Sequence, residues 1–331
     1  VVLIPYGWRF LVNRLLFAIA ILWAAFTLSF LILYAVPGDP ALLMIGGAET
    51  GSIPAEELAK IRAQYGFDQP IAVQYVTHLW NALHGDLGVS YQGGEKIGGL
   101  LVRALGSTIP LVVFAMTIAL VAGLGIGSAA ALTKRRGLAR FLDSLPSIGA
   151  SLPTFWVGLV LMQILSFQLR LLPAAGDGTF ASLVMPGLTL AVLATASIAQ
   201  VASRSMRTAM GEPYVQVALA RGASEFSVFV RHVLRNSIMP TLTVFGLVTA
   251  TLFATSTIVE TIFSRRGVGF LLEASVSTKD IPVVQGVVVL IAGIYVLLNL
   301  VVDLLYPLVD PRLATRGPGR PRRRPAKSVA P

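Results

Sequence analysis

Six stretches of this chain are each apolar over roughly the ~20 residues a helix needs to cross bilayer hydrocarbon, and that pattern constrains what it can fold into. They are Leu15–Val36, Ile109–Leu132, Leu145–Phe167, Leu183–Ala202, Met239–Ile262 and Val283–Leu308. Composition agrees: 13% of residues are charged, against ~25% in an ordinary soluble domain, and 55% are hydrophobic. So little charge could not cover a water-soluble surface. Backbone groups in lipid must pair within their own segment, which points to an all-α polytopic membrane protein with six transmembrane helices. Gly123, Gly125, Gly127, Pro153 and Pro186 fall inside these stretches, where membrane helices tolerate them. The first stretch is too long for a signal-peptide core and no small-x-small cleavage pattern follows, so it is expected to be a retained span. With no cysteine in the chain, a disulfide framework, a thiolate nucleophile and a Cys-ligated metal are excluded.

The basic residues set the orientation. With both termini inside, the cytoplasmic set is Arg9, Arg14, Lys134, Arg135, Arg136, Arg140, Arg204, Arg207, Arg221, Arg231, Arg235 and seven more from Arg312 to Lys327. That is 18 of the 26 Lys and Arg, so the N-in, C-in arrangement is favoured. The net charge of +10 thus lies on the cytoplasmic face, and nucleic acid is not needed to explain it. The expected organisation is a first region and span over 1–36, an extracytoplasmic segment over 37–106, five further helices over 107–308 and a basic, disordered tail over 309–331. A long cytoplasmic loop at 203–238 interrupts the third of these regions, and connections this long are usually functional.

Within that loop, Glu212 to Pro240 reads as two short helices. Pro213 suits a first helical position, Gly222 the left-handed residue that ends a helix, and Ser224 an N-cap. Phe226, Phe229, Val230, Val233 and Leu234 follow the spacing of one apolar face, with Arg231, His232 and Arg235 opposite. Such an amphipathic hairpin fits either an interfacial helix among lipid headgroups or a coupling element inserted into a soluble partner.

The residue strings favour the second. Ala218-Leu219-Ala220-Arg221-Gly222, then Arg231-His232-Val233-Leu234-Arg235-Asn236, then Pro240, resemble the coupling motif of ABC-importer permeases of the dipeptide/oligopeptide branch. Leu219 stands where that branch usually has Arg, and Gln216-Val217 replace a Glu-Ala pair. VPGDPA (Val36 to Ala41), YGFDQPIAVQY (Tyr65 to Tyr75), HGDLGVSY (His84 to Tyr91), SLPTFWVGL (Ser151 to Leu159), LLPAAG (Leu171 to Gly176), IVETIFSRRGVG (Ile258 to Gly269), PVVQG (Pro282 to Gly286) and NLVVDLLYPLVDPRL (Asn299 to Leu313) extend the likeness along nearly the whole chain. The resemblance implies a type I importer permease of the bacterial inner membrane, forming half of a peptide pathway. It implies a second homologous permease, two ABC ATPase subunits that bind ATP and Mg, and an extracytoplasmic binding protein. It also implies that Ala218, Ala220, Arg221, Gly222, Arg231, His232, Arg235 and Asn236 meet the ATPase. The apolar side of the hairpin is expected to face the membrane helices, leaving Val228 among the arginines on the partner side.

Other polar residues within the spans are candidates for lining a substrate path: Ser197 and Gln200 in the fourth, Thr249, Ser256 and Glu260 in the fifth, Tyr295 and Asn299 in the sixth. The same residue types are also the ordinary hydrogen-bonding glue between membrane helices. His78, His84 and His232 have no metal-site spacing, and neither a Walker A motif nor a G-x-G-x-x-G is present, so no cofactor, metal or catalytic site is expected in this chain. Two alternatives stand beside the peptide importer. One is the same class carrying nickel, haem or another non-peptide cargo; the other is an ion-coupled carrier, which would need charge pairs near the membrane midplane.

Overall fold

A computed structural model describes residues 8–34, 41 and 55–309. Its helices are α1 (Trp8–Tyr34), α2 (Ala55–Tyr65), α3 (Ile71–Leu83), α4 (Ile97–Leu132), α5 (Arg136–Ser151), α6 (Thr154–Gln168), α7 (Phe180–Met210), α8 (Pro213–Ala220), α9 (Glu225–Ile262), α10 (Val268–Ser277) and α11 (Ile281–Val309). Among the described residues there is no strand, only an isolated antiparallel bridge of Val89 with Lys96. Among the described residues five helices are long and apolar enough to cross a membrane, within Val12–Ile32, Ile97–Leu132, Phe180–Met210, Glu225–Ile262 and Ile281–Val301. The pair α5–α6 makes a sixth crossing if counted as one span. The expected tail lies outside the described residues from Asp310 onward, as do Val36 to Pro40.

Two expectations about the spans need correction. The stretch Leu145–Phe167 is not one straight helix: α5 and α6 meet at 99°. A proline's ring disfavours the α region for the residue before it, and Leu152, ahead of Pro153, sits at φ −81°, ψ 127°. Pro110, Pro146, Pro186 and Pro240 stay inside their helices, so the break is specific to this position. The second correction is length. α4 begins at Ile97 rather than Ile109, and α7 continues to Met210, well past Ala202. The extra turns of α4 are held by burial of Ile97, Leu101 and Ala104 against Val268, Val283 and Val287.

The centre of the fold is the contact of α4 with α7. Leu111, Val112, Ala115, Met116 and Ala119 interlock with Met185, Leu190, Ala191, Ala194 and Ile198, and α9 closes this core with Val248, Leu252 and Val259. Small residues let the two helices approach closely, the rule for membrane helix pairs. A Cβ on Gly123 would lie 2.7 Å from Ile198, and one on Gly127 would lie 2.9 Å from Ala202. On the flank, α1 packs on α11. Beyond the spans, residues 86–96 are pinned to the α10–α11 turn. The buried Asp280 carboxylate accepts from the Tyr91 N–H at 3.0 Å and from the Ser90 hydroxyl.

Overpacking a membrane core should cost about what it costs elsewhere, ~1–3 kcal/mol. Gly127→Val is therefore expected to lower the melting temperature of the purified protein. Gly125→Ala, where the added carbon meets open space, should leave it unchanged; equal melting of the two would contradict the close α4–α7 approach.

Candidate functional site

The loop over residues 203–238 folds as a helix–turn–helix built on the end of α7. Pro213 opens α8, and Gly222 occupies φ +87°, the left-handed region a side chain disfavours. The Ser224 hydroxyl then accepts from the Ser227 N–H at 3.2 Å to start α9. Val215, Val228, Phe229 and Val233 form a buried cluster with Ala202, Met206 and Ala209 of α7. The loop is therefore part of the packed body. It does not end before the fifth span either: α9 runs unbroken from Glu225 to Ile262, with a π-helical turn at Phe229–Leu234.

That π turn overturns one expectation. Val228 is 3% exposed and faces α7, whereas Phe226 is 75% exposed. In a π turn the backbone bonds run i to i+5 rather than i to i+4, which brings Val228 to the face of Val233 and rotates Phe226 away. Ala220, Arg221, Gly222, Arg231, His232, Arg235 and Asn236 are exposed, and Ala218 is half-buried. Tyr214, not singled out from the sequence, ties the two helices together. Its hydroxyl accepts from the Asn236 amide at 2.7 Å, and its ring lies 6.2 Å from that of His232. Lys134, in the short basic loop before α5, pairs with Glu225 at 2.7 Å.

Beside this loop a second polar group locks the bundle end. Arg207 donates to both oxygens of Asp143, at 2.9 and 2.7 Å, and to the Ala130 carbonyl at 2.9 Å, so α4, α5 and α7 meet on one guanidinium. Gln200 and Arg204 line the same 200 Å³ cavity. Ser197, half-buried, only returns a bond to the Leu193 carbonyl at 3.1 Å.

The path-lining candidates divide. Thr249, Ser256 and Glu260 do not face an open surface: all three are buried, and Glu260 is 0% exposed. The Glu260 carboxyl accepts from Thr108 Oγ1 at 2.6 Å, from the Gly269 N–H at 2.8 Å and from the Phe270 N–H at 3.3 Å. Thr108 Oγ1 also accepts from the Val268 N–H at 2.8 Å. These are the first amide groups of α10, which its own helix cannot satisfy, so α4 and α9 cap α10 from outside. The cradle admits no side chain at Gly267, where a Cβ would lie 2.3 Å from the Glu260 carboxyl.

Arg265, also missed, completes this bracket. It is buried, pairs with Asp177 at 3.0 Å, and donates to the Ser182 carbonyl at 3.2 Å and to Ser107 Oγ at 3.3 Å. The available signal was an acidic residue closing a span with arginines five and six positions later. Tyr295 and Asn299 lie exposed on α11, joined by the Asn299 amide to the Tyr295 carbonyl at 2.9 Å, beside a 620 Å³ groove against α1. No group of three or more His, Cys, Asp or Glu residues is placed to hold a metal among the described residues.

The described residues form an apolar, multi-pass bundle that carries a basic helix–turn–helix at one end. Residues 122–315 match the family described as the binding-protein-dependent transport system inner membrane component, and residues 7–112 match the N-terminal region of such membrane components. The chain belongs to that family. It is 35% identical over 312 residues to the probable peptide ABC transporter permease protein y4tP of Sinorhizobium fredii, covering 92% of this chain and 98% of that one. The dipeptide transport system permease protein DppB of Escherichia coli K12 is 33% identical over 336 residues, with the same shares covered. Inward-facing MetNI methionine ABC transporter shares the fold, with a TM-score of 0.56 at 18% identity over 66% of this chain and 97% of that one.

Removing the Glu260 carboxyl would orphan buried donors at about 1–3 kcal/mol each, so Glu260→Ala is expected to cost ~3 kcal/mol or more, and Glu260→Gln less. Thermal unfolding of the purified protein measures this. Wild-type stability in Glu260→Ala would return Glu260 to the path-lining candidates.

Proposed function

We propose that this chain is the permease subunit of an ATP-driven importer of dipeptides or oligopeptides. It forms half of the pathway, with a second, homologous permease forming the rest. Two ABC ATPase subunits dock beneath, and an extracytoplasmic binding protein delivers peptide from the other side. The observation that carries the reading is the loop: it is fused to α7 and α9 by a buried apolar cluster, yet it presents Arg221, Arg231, His232, Arg235 and Asn236 outward. A surface so fixed moves with the helices, so an ATPase pair that prefers its closed, ATP-bound state can bias the membrane domain. Peptide as cargo is supported by the names of the relatives. Against an ion-coupled carrier, the Glu260 carboxyl is committed to Thr108 and the first amides of α10.

The proposed organisation keeps an extracytoplasmic segment at 37–106, the transmembrane domain at 107–308 and the coupling loop at 203–238, with both termini cytoplasmic. Helix α2, over the expected Ala55–Tyr65, is polar and exposed and would help seat the binding protein. The absence of native cysteine makes topology testable. Lys60→Cys is expected to react with an impermeant thiol reagent in intact cells, and Gly137→Cys only after lysis; the reverse would overturn the orientation.

The coupling role is tested by Gly222→Val, which forces a β-branched residue into the left-handed region, and Arg235→Glu. Both should insert normally. Losing one charge-assisted hydrogen bond, worth about 1.5–3 kcal/mol, would weaken ATPase co-purification roughly tenfold or more and reduce uptake of labelled dipeptide into reconstituted vesicles. Lys327→Glu in the tail serves as control. Wild-type assembly and transport in both loop variants would refute coupling. Uptake of nickel or haem but not of dipeptide would refute the cargo alone.

A further inference from the structure

The helix α3 carries a polar side and a separate apolar stripe. Gln74, which is buried, and Thr77 and Asn81, which are exposed, line a 410 Å³ cavity shared with Gln285 of α11 and Phe26 of α1. Gln74 is buried and donates to the Gln69 carbonyl at 2.8 Å. Its apolar residues point outward: Val76 is 62% exposed, Trp80 63% and Leu83 73%. At 100° per residue these three fall within one narrow stripe, away from the cavity.

The position of α3 along α1 identifies what covers that stripe. The Tyr75 ring lies against two rings one turn apart on α1, 6.0 Å from Phe26 and 5.3 Å from Phe30, and its hydroxyl is 2.8 Å from Thr27 Oγ1. His78 adds a contact to Phe30, with ring centroids 6.2 Å apart. Touching successive turns requires α3 to lie beside α1 and not on its end. Phe26, Thr27 and Phe30 belong to the apolar span Val12–Ile32. At 1.5 Å per residue, Thr27 is roughly 7 Å below the last residue of that span. At the same height α1 exposes Leu28, Leu31 and Ile32, its own lipid-facing side chains. The stripe on α3 continues that surface.

We propose that α3 is an in-plane helix immersed in the leaflet at the C-terminal end of α1, with Val76 and Leu83 among acyl chains and Trp80 anchoring at the headgroup level. Interfacial helices bury their apolar face ~5–10 Å into this boundary, and Trp is enriched there. The nominal extracytoplasmic segment is then two-part: α2 stands in water and α3 lies in the membrane. Burial holds the His78 imidazole below its usual pKa, so a neutral ring makes the contact with Phe30. The inference rests on α1 spanning the membrane and is independent of the cargo.

Single-cysteine variants carrying a nitroxide decide it, in the assembled transporter reconstituted into phospholipid vesicles. Val76→Cys and Leu83→Cys should be relaxed by dissolved oxygen more than by a water-soluble nickel chelate, like Leu28→Cys on α1. Lys60→Cys on α2 should show the opposite preference. If the labels at 76 and 83 respond to the nickel chelate as the label at 60 does, the stripe faces water and the proposal fails. If they are shielded from both relaxers, a protein partner covers the stripe and the proposal fails equally. Neither outcome bears on dipeptide uptake, so this inference and the importer reading fail separately.

Discussion

The close approach of α4 and α7 is the contact on which the rest of the molecule hangs. In lipid there is no hydrophobic drive to press two helices together, so association depends on how near the backbones can come. Gly123 and Gly127 leave room for Ile198 and Ala202 to sit almost against the α4 backbone. From that seam α7 continues past the membrane-spanning stretch, and Ala202, Met206 and Ala209 become the floor on which Val215, Val228 and Phe229 pack. One continuous packed column thus joins the bundle centre to the helix–turn–helix. A force applied at Arg231 or Arg235 has no slack loop in which to dissipate.

At the other end of the bundle the polar residues do a different job. Thr108 and Glu260 bond each other and the first amides of α10, while Arg265 donates to the Ser182 carbonyl and Ser107 and pairs with Asp177. The logic is that of any buried polar group: it must be fully partnered or it destabilises the fold. Asp143 and Arg207 repeat the arrangement at the end of the bundle that carries the helix–turn–helix. Both brackets join helices that the apolar seam alone would leave free to slide.

Much of this was legible in the residues. The apolar runs located five crossings and the bent pair α5–α6, because bilayer thickness sets a length that composition must meet, but they missed helix ends and the bend. Gly222 and Ser224 announced a turn and a cap, because these are local requirements of backbone geometry. The pattern failed where neighbours outweigh local preference. Val228 was assigned to the wrong face because a π turn cannot be recognised from helical periodicity. Glu260 looked like a path residue because an acidic group in a span is costly, and the donors that satisfy it are 9, 10 and 152 residues away along the chain.

The residues alone were enough for the class of protein, its all-helical nature, the approximate position of its spans and the helix–turn–helix between the fourth and fifth. These follow from hydropathy, charge bias and short-range stereochemistry, which act over a few residues. Tertiary structure alone decided which side each polar residue faces and where a span breaks. It also set the polar side of α3 along a cavity and left Val76, Trp80 and Leu83 exposed on the other. Those outcomes depend on which surface lies opposite, and in a membrane protein that surface is as readily lipid as another helix.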